Sequence, residues 1–177
     1  PRKFHATTGI GHTRWATHGR PTEENAHPHR SADGQVVAVH NGIFENFLEL
    51  REELKAAGEV FQSETDTECF PVMVAHLMKQ GRTFAAAFRE AVGRMKGIYA
   101  LACLHATDPD RILAARSGPP MVLGLGEGET FLASDVVPLL PHTRRVIFLE
   151  DGDLVELTRE GVRIFGLDGA ELQRPVL

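Results

Sequence analysis

The sequence predicts an α+β domain in which antiparallel sheets are covered by helices, and three observations carry the prediction. An apolar strand and three amphipathic helical stretches occupy the first part of the chain. The second part breaks into short strand-like runs separated by Gly, Pro and Asp, as antiparallel sheets require. No Pro/Ser-rich linker and no internal repeat divides the 177 residues, a length suited to one domain with a proper core. Strands, then helices, then strands again fit a layered sheet-and-helix domain.

Taken in order, Thr8 to Trp15 mixes β-branched and small residues and reads as a weak strand. Arg14 to Arg30 is polar and carries Gly19, Pro21 and Pro28, so it reads as a long loop. Val36-Val37-Ala38-Val39, bounded by Gly34 and Asn41-Gly42, fits a short buried strand. Phe44, Phe47, Leu48 and Leu54 fall near helical spacing, with Gly58 as the stop. A second helix is expected from about Asp66, with Phe70, Met73, Val74 and Leu77 on one face and Gly81 after it. A third follows from Thr83, its inner stripe being Phe84, Ala87, Phe88, Ala91 and Met95. The remaining strand-like runs are 98–104, 111–115, 121–125, 130–133, 146–149, 153–157 and 162–165.

Composition excludes several classes of function. The net charge of −5 and the scattered basic residues, paired only in places such as Arg144-Arg145, do not suit a nucleic-acid partner, which needs clustered Lys and Arg. No apolar run approaches the roughly 20 residues that span a bilayer, and no apolar stretch resembling a signal peptide follows Pro1. The chain lacks an initiator Met and reads as a piece of a longer protein. Cys69 and Cys103 both sit in apolar contexts, as small buried thiols do. A disulfide between them stays open, but two cysteines make no secreted scaffold, and a reducing cytoplasm is expected.

Three stretches are richer in polar groups than a scaffold needs: His12 to Gly19 continuing through Asn25 to His29, then His40-Asn41-Gly42, then Ser63 to Glu68. Each has an ordinary explanation. Arg14 could be a surface residue and Trp15 a core anchor. Asn41-Gly42 is a strong hairpin signal, although the following Ile43-Phe44-Glu45-Asn46-Phe47 heads towards a helix. Ser63-x-x-Asp66 resembles a capping box, and Asp66 near a helix start needs no function to explain it. The histidines invite a metal reading, but no His-Glu-x-x-His and no zinc-type Cys pair is present. No metal and no cofactor is expected.

Together the three stretches suit a different ligand. A free α-amino acid needs a cation for its carboxylate and an anion for its ammonium. Arg14 can supply the first and Asp66 the second, each charge-assisted bond contributing roughly 1.5–3 kcal/mol. Acyl transfer from a side-chain amide also needs donors aimed at a developing oxyanion. Asn41 offers an NH₂ group and Gly42 an unshielded backbone N–H, and such a donor typically contributes about 2.7–4 kcal/mol in the transition state.

The runs His-Thr-Arg-Trp-Ala-Thr-His-Gly from His12, His-Asn-Gly-Ile-Phe-Glu-Asn from His40 and Ser-Glu-Thr-Asp-Thr-Glu from Ser63, in this order and separation, resemble the N-terminal glutaminase domain of the glucosamine-6-phosphate synthase family. The likeness continues through Leu50-Arg51-Glu52-Glu53-Leu54, Ala114-Ala115-Arg116-Ser117-Gly118, Ala133-Ser134-Asp135 and 148–153, and so covers nearly the whole chain. Other class II glutamine amidotransferases share the Arg, Asn-Gly and Asp logic. The Trp-Ala-Thr-His and Ser-Glu-Thr-Asp-Thr-Glu wording favours this branch over the purine, asparagine and glutamate branches.

The resemblance implies an N-terminal-nucleophile hydrolase fold, a four-layer αββα sandwich with antiparallel sheets, here without its first strands. It implies that a cysteine at the mature N-terminus attacks the amide of L-glutamine, its own α-amino group acting as base, and that a γ-glutamyl thioester forms. Arg14 would hold the α-carboxylate and Asp66 the α-ammonium. Thr17 and His18 would contact the bound amino acid. Asn41 and Gly42 would form the oxyanion hole, and Trp15 would gate an ammonia passage. The ammonia would aminate fructose 6-phosphate in an isomerase domain that this chain lacks, within a full-length homodimer serving amino-sugar biosynthesis. No nucleic-acid or membrane partner is implied. The nucleophilic Cys is absent from the chain, so the fragment alone is expected to be inactive, with a raw sheet edge prone to aggregation. The alternatives are a non-catalytic glutamine-binding module or another class II amidotransferase; a metal-dependent hydrolase is disfavoured by the missing ligand patterns.

Overall fold

The computed structural model describes residues 6–14 and 20–177. Trp15, Thr17 and His18 lie outside the described residues.

In chain order the elements are β1 (His29–Arg30), β2 (Val36–Phe44), α1 (Phe47–Ala56), α2 (Cys69–Lys79), α3 (Phe84–Arg94), β3 (Gly97–His105), β4 (Asp108–Ser117), β5 (Val122–Leu125), β6 (Thr130–Ala133), a 3₁₀ turn (Val137–Leu139), β7 (Val146–Phe148), β8 (Leu154–Thr158), β9 (Gly161–Phe165) and β10 (Glu171–Leu172). Seven strands form one sheet in the order β1-β2-β3-β4-β8-β9-β10, and three form a second in the order β6-β5-β7. Neighbouring strands run antiparallel throughout.

The central strands are buried on both faces, and their sequences show why. Leu101 and Cys103 of β3 and Leu113 and Ala115 of β4 meet the helical stripes of α1, α2 and α3. The alternate residues Ala100, Ala102 and Ala114 face the small sheet, where Met121, Leu123, Ile147 and Leu149 cover them. Alternation of side chains along a strand produces this division, and the three alanines let the two sheets approach closely. Each helix follows its expected stripe. Phe70, Met73, Val74 and Leu77 of α2 are buried, as are Phe84, Ala87, Phe88 and Ala91 of α3. Thr83 caps α3 by accepting the Ala86 N–H at 3.3 Å.

Two expectations about the first helix fail together. β2 does not stop at Val39 but pairs with β3 from Val36↔His105 to Phe44↔Gly97, straight through Asn41 and Gly42. Phe44 is therefore the last strand residue, not the first of a helical stripe, and its fully buried ring belongs to the helix-side core. α1 starts at Phe47 and buries Leu50 and Leu54, while Leu48 is 64% exposed because it lies off that face. The hairpin signal is overridden by the long β2–β3 ladder. Residues 8–14 form no strand in the described structure, and the two-residue β1 and β10 were too short to register as patterns.

Three layers are clear: helices, large sheet, small sheet. On the outer side of the small sheet, the described residues place only the 3₁₀ turn, packed through Leu139 on Val122 and Val146. Pro138 and Pro141 punctuate 134–145, which prevents a longer helix there. No described helix is long and apolar enough to cross a membrane.

Candidate functional site

The polar stretches meet at the end of β2. Asn41 lies one residue after the buried His40, and its Oδ1 is 2.6 Å from Nε2 of His12. The other ring nitrogen of His12, Nδ1, accepts the backbone N–H of Arg14 at 2.8 Å. This small side-chain-closed turn holds Arg14 at φ 45°, the left-handed region that a non-glycine residue rarely occupies. The Arg14 guanidinium donates to the Arg20 carbonyl at 3.2 Å. That carbonyl also accepts from the Asn25 amide at 3.1 Å, and Asn25 in turn accepts the Glu64 N–H at 3.0 Å. A short relay of contacts thus joins Arg14 to the loop that carries Asp66.

Gly42 has φ 123°, and a Cβ built on it would collide with the carbonyl oxygen of Ile98 on β3. Only glycine lets the two strands pair here.

Asp66 does not cap a helix through its side chain. α2 begins three residues later, and the Asp66 carboxylate reaches across to accept the Phe44 N–H of β2 at 2.8 Å. Ser63 is not a capping-box residue either. Its hydroxyl and backbone N–H both donate to Glu68 Oε2 at 2.7 Å, and the Gln62 N–H donates to Glu68 Oε1 at 2.6 Å. Arg51 of α1 sits 3.7 Å from Glu68 and grips the Ser63 and Thr65 carbonyls at 2.9 Å. A buried carboxylate with this many donors is compensated where an isolated one would be costly. Its effect is to fix the 63–68 loop, and with it Asp66.

Four histidines crowd the same corner. His12 stacks on His27 with centroids 4.2 Å apart, and His27 meets His29 edge-on at 4.8 Å. His29 lies within 3.1 Å of the Thr65 hydroxyl. His40 stacks on Phe44 at 4.1 Å, and its Nδ1 is 3.0 Å from the Thr67 hydroxyl and 3.9 Å from Asp66 Oδ2. Burial depresses His40 to a pKa of about 4, although the Asp66 carboxylate pulls the other way. His27 falls to about 3, first through burial and then through the charges of His12 and His29. His29 is lowered as well, chiefly by burial, and feels both Arg14 and Asp66. At neutral pH the rings of His27, His29 and His40 are therefore neutral. Among the described residues, no group of three or more His, Cys, Asp or Glu is arranged to hold a metal ion.

The structure gathers Arg14, Asn41, Gly42 and Asp66 at one corner, whereas Trp15, Thr17 and His18 lie outside the described residues. Both cysteines are free and buried, and burial lifts the Cys69 thiol to about 11 and the Cys103 thiol higher still. Sequence reasoning assigned no part to His12, His40, Arg51 or Glu68. The dense polar run 63–68 after an amphipathic helix was the available signal, since so many hydrogen-bonding groups need buried partners.

Residues 12–141 match the family model described as a glutamine amidotransferase domain. The chain is 57% identical over 168 residues to a glutamine–fructose-6-phosphate aminotransferase (isomerizing) of Thermus thermophilus, covering 94% of this chain and 27% of that protein. The enzyme of the same name from Escherichia coli K12 is 55% identical over 171 residues, with 97% and 28% covered. The chain thus spans about a quarter of the length of the curated relatives it matches. Among solved structures, the glutamine phosphoribosylpyrophosphate amidotransferase of B. subtilis superposes with a TM-score of 0.69 at 26% identity, over 88% of this chain and 34% of that one. The fold is that of the N-terminal-nucleophile amidotransferases. With the family model matching well over half its length, the chain belongs to the glutamine amidotransferase domain family.

Proposed function

We propose that this domain hydrolyses the side-chain amide of L-glutamine and that the released ammonia serves the conversion of fructose 6-phosphate to glucosamine 6-phosphate within a longer polypeptide. The observation that carries the glutaminase reading is the convergence, at the end of one strand, of a guanidinium, a carboxylate and an Asn-Gly pair. The sugar-phosphate half rests on the names of the relatives, which share more than half of their aligned residues with this chain.

In this reading Arg14 binds the glutamine α-carboxylate and Asp66 the α-ammonium. The contacts of Asp66 with Phe44 and His40 both use Oδ2, which leaves Oδ1 as the oxygen for the substrate. The neutral state of His40 keeps a competing cation away from that carboxylate. Asn41 and Gly42 supply the N–H donors for the oxyanion as the tetrahedral intermediate forms. Thr17 and His18 contact the bound amino acid, and Trp15 gates the ammonia passage. The nucleophile is a cysteine outside these 177 residues, because the thiols of Cys69 and Cys103 are buried and held protonated. On its own the chain should release no glutamate from glutamine. The reducing cytoplasm suits its two free thiols.

Steady-state kinetics of the complete enzyme test the assignments. Arg14→Ala and Asp66→Asn should raise the glutamine KM with a smaller effect on kcat. Asn41→Ala should lower kcat by about 10²–10³. An unchanged kcat in Asn41→Ala would remove Asn41 from the oxyanion site and with it the central element of the reading.

A further inference from the structure

We propose that His12 is a positioning residue that sets the orientation of the Asn41 amide, a role that rests on the glutaminase reading above. One group in this cluster has a fixed hydrogen-bonding sense. A backbone N–H can only donate, so the Arg14 N–H at 2.8 Å makes Nδ1 of His12 an acceptor. The ring is then neutral and carries its proton on Nε2. At 2.6 Å from Asn41, Nε2–H must donate, which requires the carbonyl oxygen Oδ1 of Asn41 to face it. The NH₂ group of Asn41 is thereby turned the other way, as a donor. Without this bond the amide could rotate, and its oxygen would then repel the oxyanion that the nitrogen is meant to stabilise.

The supporting contacts fit the role. His27 stacks on His12 at 4.2 Å with 30° between the planes, which fixes the ring's tilt. His27 is half-buried, and its buried Nδ1 has no hydrogen-bond partner among the described residues. It contributes a face to the stack and does not compete for Asn41. One imidazole thus serves two halves of the site: Nδ1 shapes the backbone of Arg14, and Nε2 aims Asn41.

Two conservative variants separate these arms, because an asparagine carbonyl stands near the place of Nδ1 and a glutamine NH₂ near that of Nε2. In the complete enzyme, His12→Gln should keep kcat for glutamine hydrolysis within about threefold while raising the glutamine KM. His12→Asn should do the reverse, lowering kcat about tenfold with KM nearly unchanged, a fraction of what loss of a whole oxyanion donor costs. In an Asn41→Ala background, His12→Asn should cost less than twofold further, since its effect passes through Asn41. A merely structural His12 would shift both constants in both variants and would add its full cost to Asn41→Ala; either result overturns the proposal. If Asn41→Ala itself leaves kcat unchanged, the glutaminase assignment falls. If Asn41→Ala is impaired and His12→Asn is not, only the positioning role falls. Thermal melts of each variant fix an assay temperature at which all are folded.

Discussion

Replacing Gly42 by alanine tests whether the close approach of β2 to the β3 backbone is a requirement of the fold. The residue has φ 123°, and an added Cβ would press into the Ile98 carbonyl oxygen, lying 2.8 Å from its carbon and 3.1 Å from Nε2 of His40. Two costs add. Holding a side chain at such a φ costs roughly 1–3 kcal/mol, and forcing a methyl into a packed site costs a further 1–3 kcal/mol or so. The obstacle is backbone of the neighbouring strand, in a ladder of nine paired positions from Val36 to Phe44, so it cannot swing aside as a flexible side chain would. A loss of about 4 kcal/mol lowers Tm by roughly 8–16 °C in a chain of this size. Gly34 provides the control. Its φ is 70°, but nothing lies within 4 Å of its built Cβ. Gly34→Ala should therefore pay only the left-handed strain, about 1–2 kcal/mol or roughly 2–8 °C. Circular-dichroism melts of the two variants and the parent chain give the comparison. If Gly42→Ala melts within 2 °C of Gly34→Ala, the steric requirement between β2 and β3 is refuted.

Two further outcomes are expected. Acid should destabilise the domain through histidines whose desolvation disfavours the charged ring. His40 and His27 have folded-state pKa values of about 4 and about 3, below the unfolded value near 6.5, so the unfolded chain takes up their protons first. Their stabilising contribution is complete above about pH 6.5 and is lost as pH falls towards 4, with a slope of up to about 1.4 kcal/mol per pH unit for each group. For His40 alone this is about 2 kcal/mol between pH 7 and pH 5. Urea midpoints at the two pH values measure it, His40→Gln should flatten the slope, and a midpoint that rises towards pH 5 would contradict the burial argument. The second outcome concerns Glu68. Glu68→Ala removes the acceptor of the Gln62 and Ser63 backbone N–H groups and the carboxylate that faces Arg51 and should cost about 3–5 kcal/mol. Glu171→Ala, which breaks the exposed pair with Arg163, should leave the urea midpoint nearly unchanged, because solvent screens the pair. Equal urea midpoints for the two variants would refute the role given to Glu68.

The elements that were legible in the sequence are those whose period is repeated. α2 and α3 each show two or more turns of a buried stripe, and β3 reads as an unbroken apolar run because both its faces are covered. What was illegible depended on partners far along the chain. β2 continues through Asn41-Gly42 because β3, more than fifty residues later, offers the ladder. No local pattern encodes that. The site divides in the same way. Arg14, Asn41 and Asp66 were marked by residue type, yet the helix-cap explanation for Asp66 was equally good from sequence alone. It fails because the carboxylate spends its bond on Phe44 in β2, a contact that spacing cannot show. His12 went unassigned for a related reason: a histidine reveals its task only through the two groups that its two nitrogens meet.

The departures from local preference are not scattered. Arg14 is the one non-glycine residue at positive φ among the described residues, Gly42 lets β2 approach the β3 backbone, and the buried carboxylates of Asp66 and Glu68 and the imidazoles of His12, His27, His29 and His40 surround them. Elsewhere the chain follows ordinary rules, with apolar stripes inside, a threonine cap on α3 and alanines between the sheets. A folded chain can hold several such costs in one place only if its surroundings over-determine them. Here the β2–β3 ladder, the Arg51–Glu68 clamp and the His12–His27 stack come from three separate elements and converge on one corner. Stability alone gives no reason to concentrate them, because apolar residues of similar volume would serve the core as well or better. Fixing four polar groups against rotation before a ligand arrives does give a reason, since a preorganised site need not reorganise as charge develops.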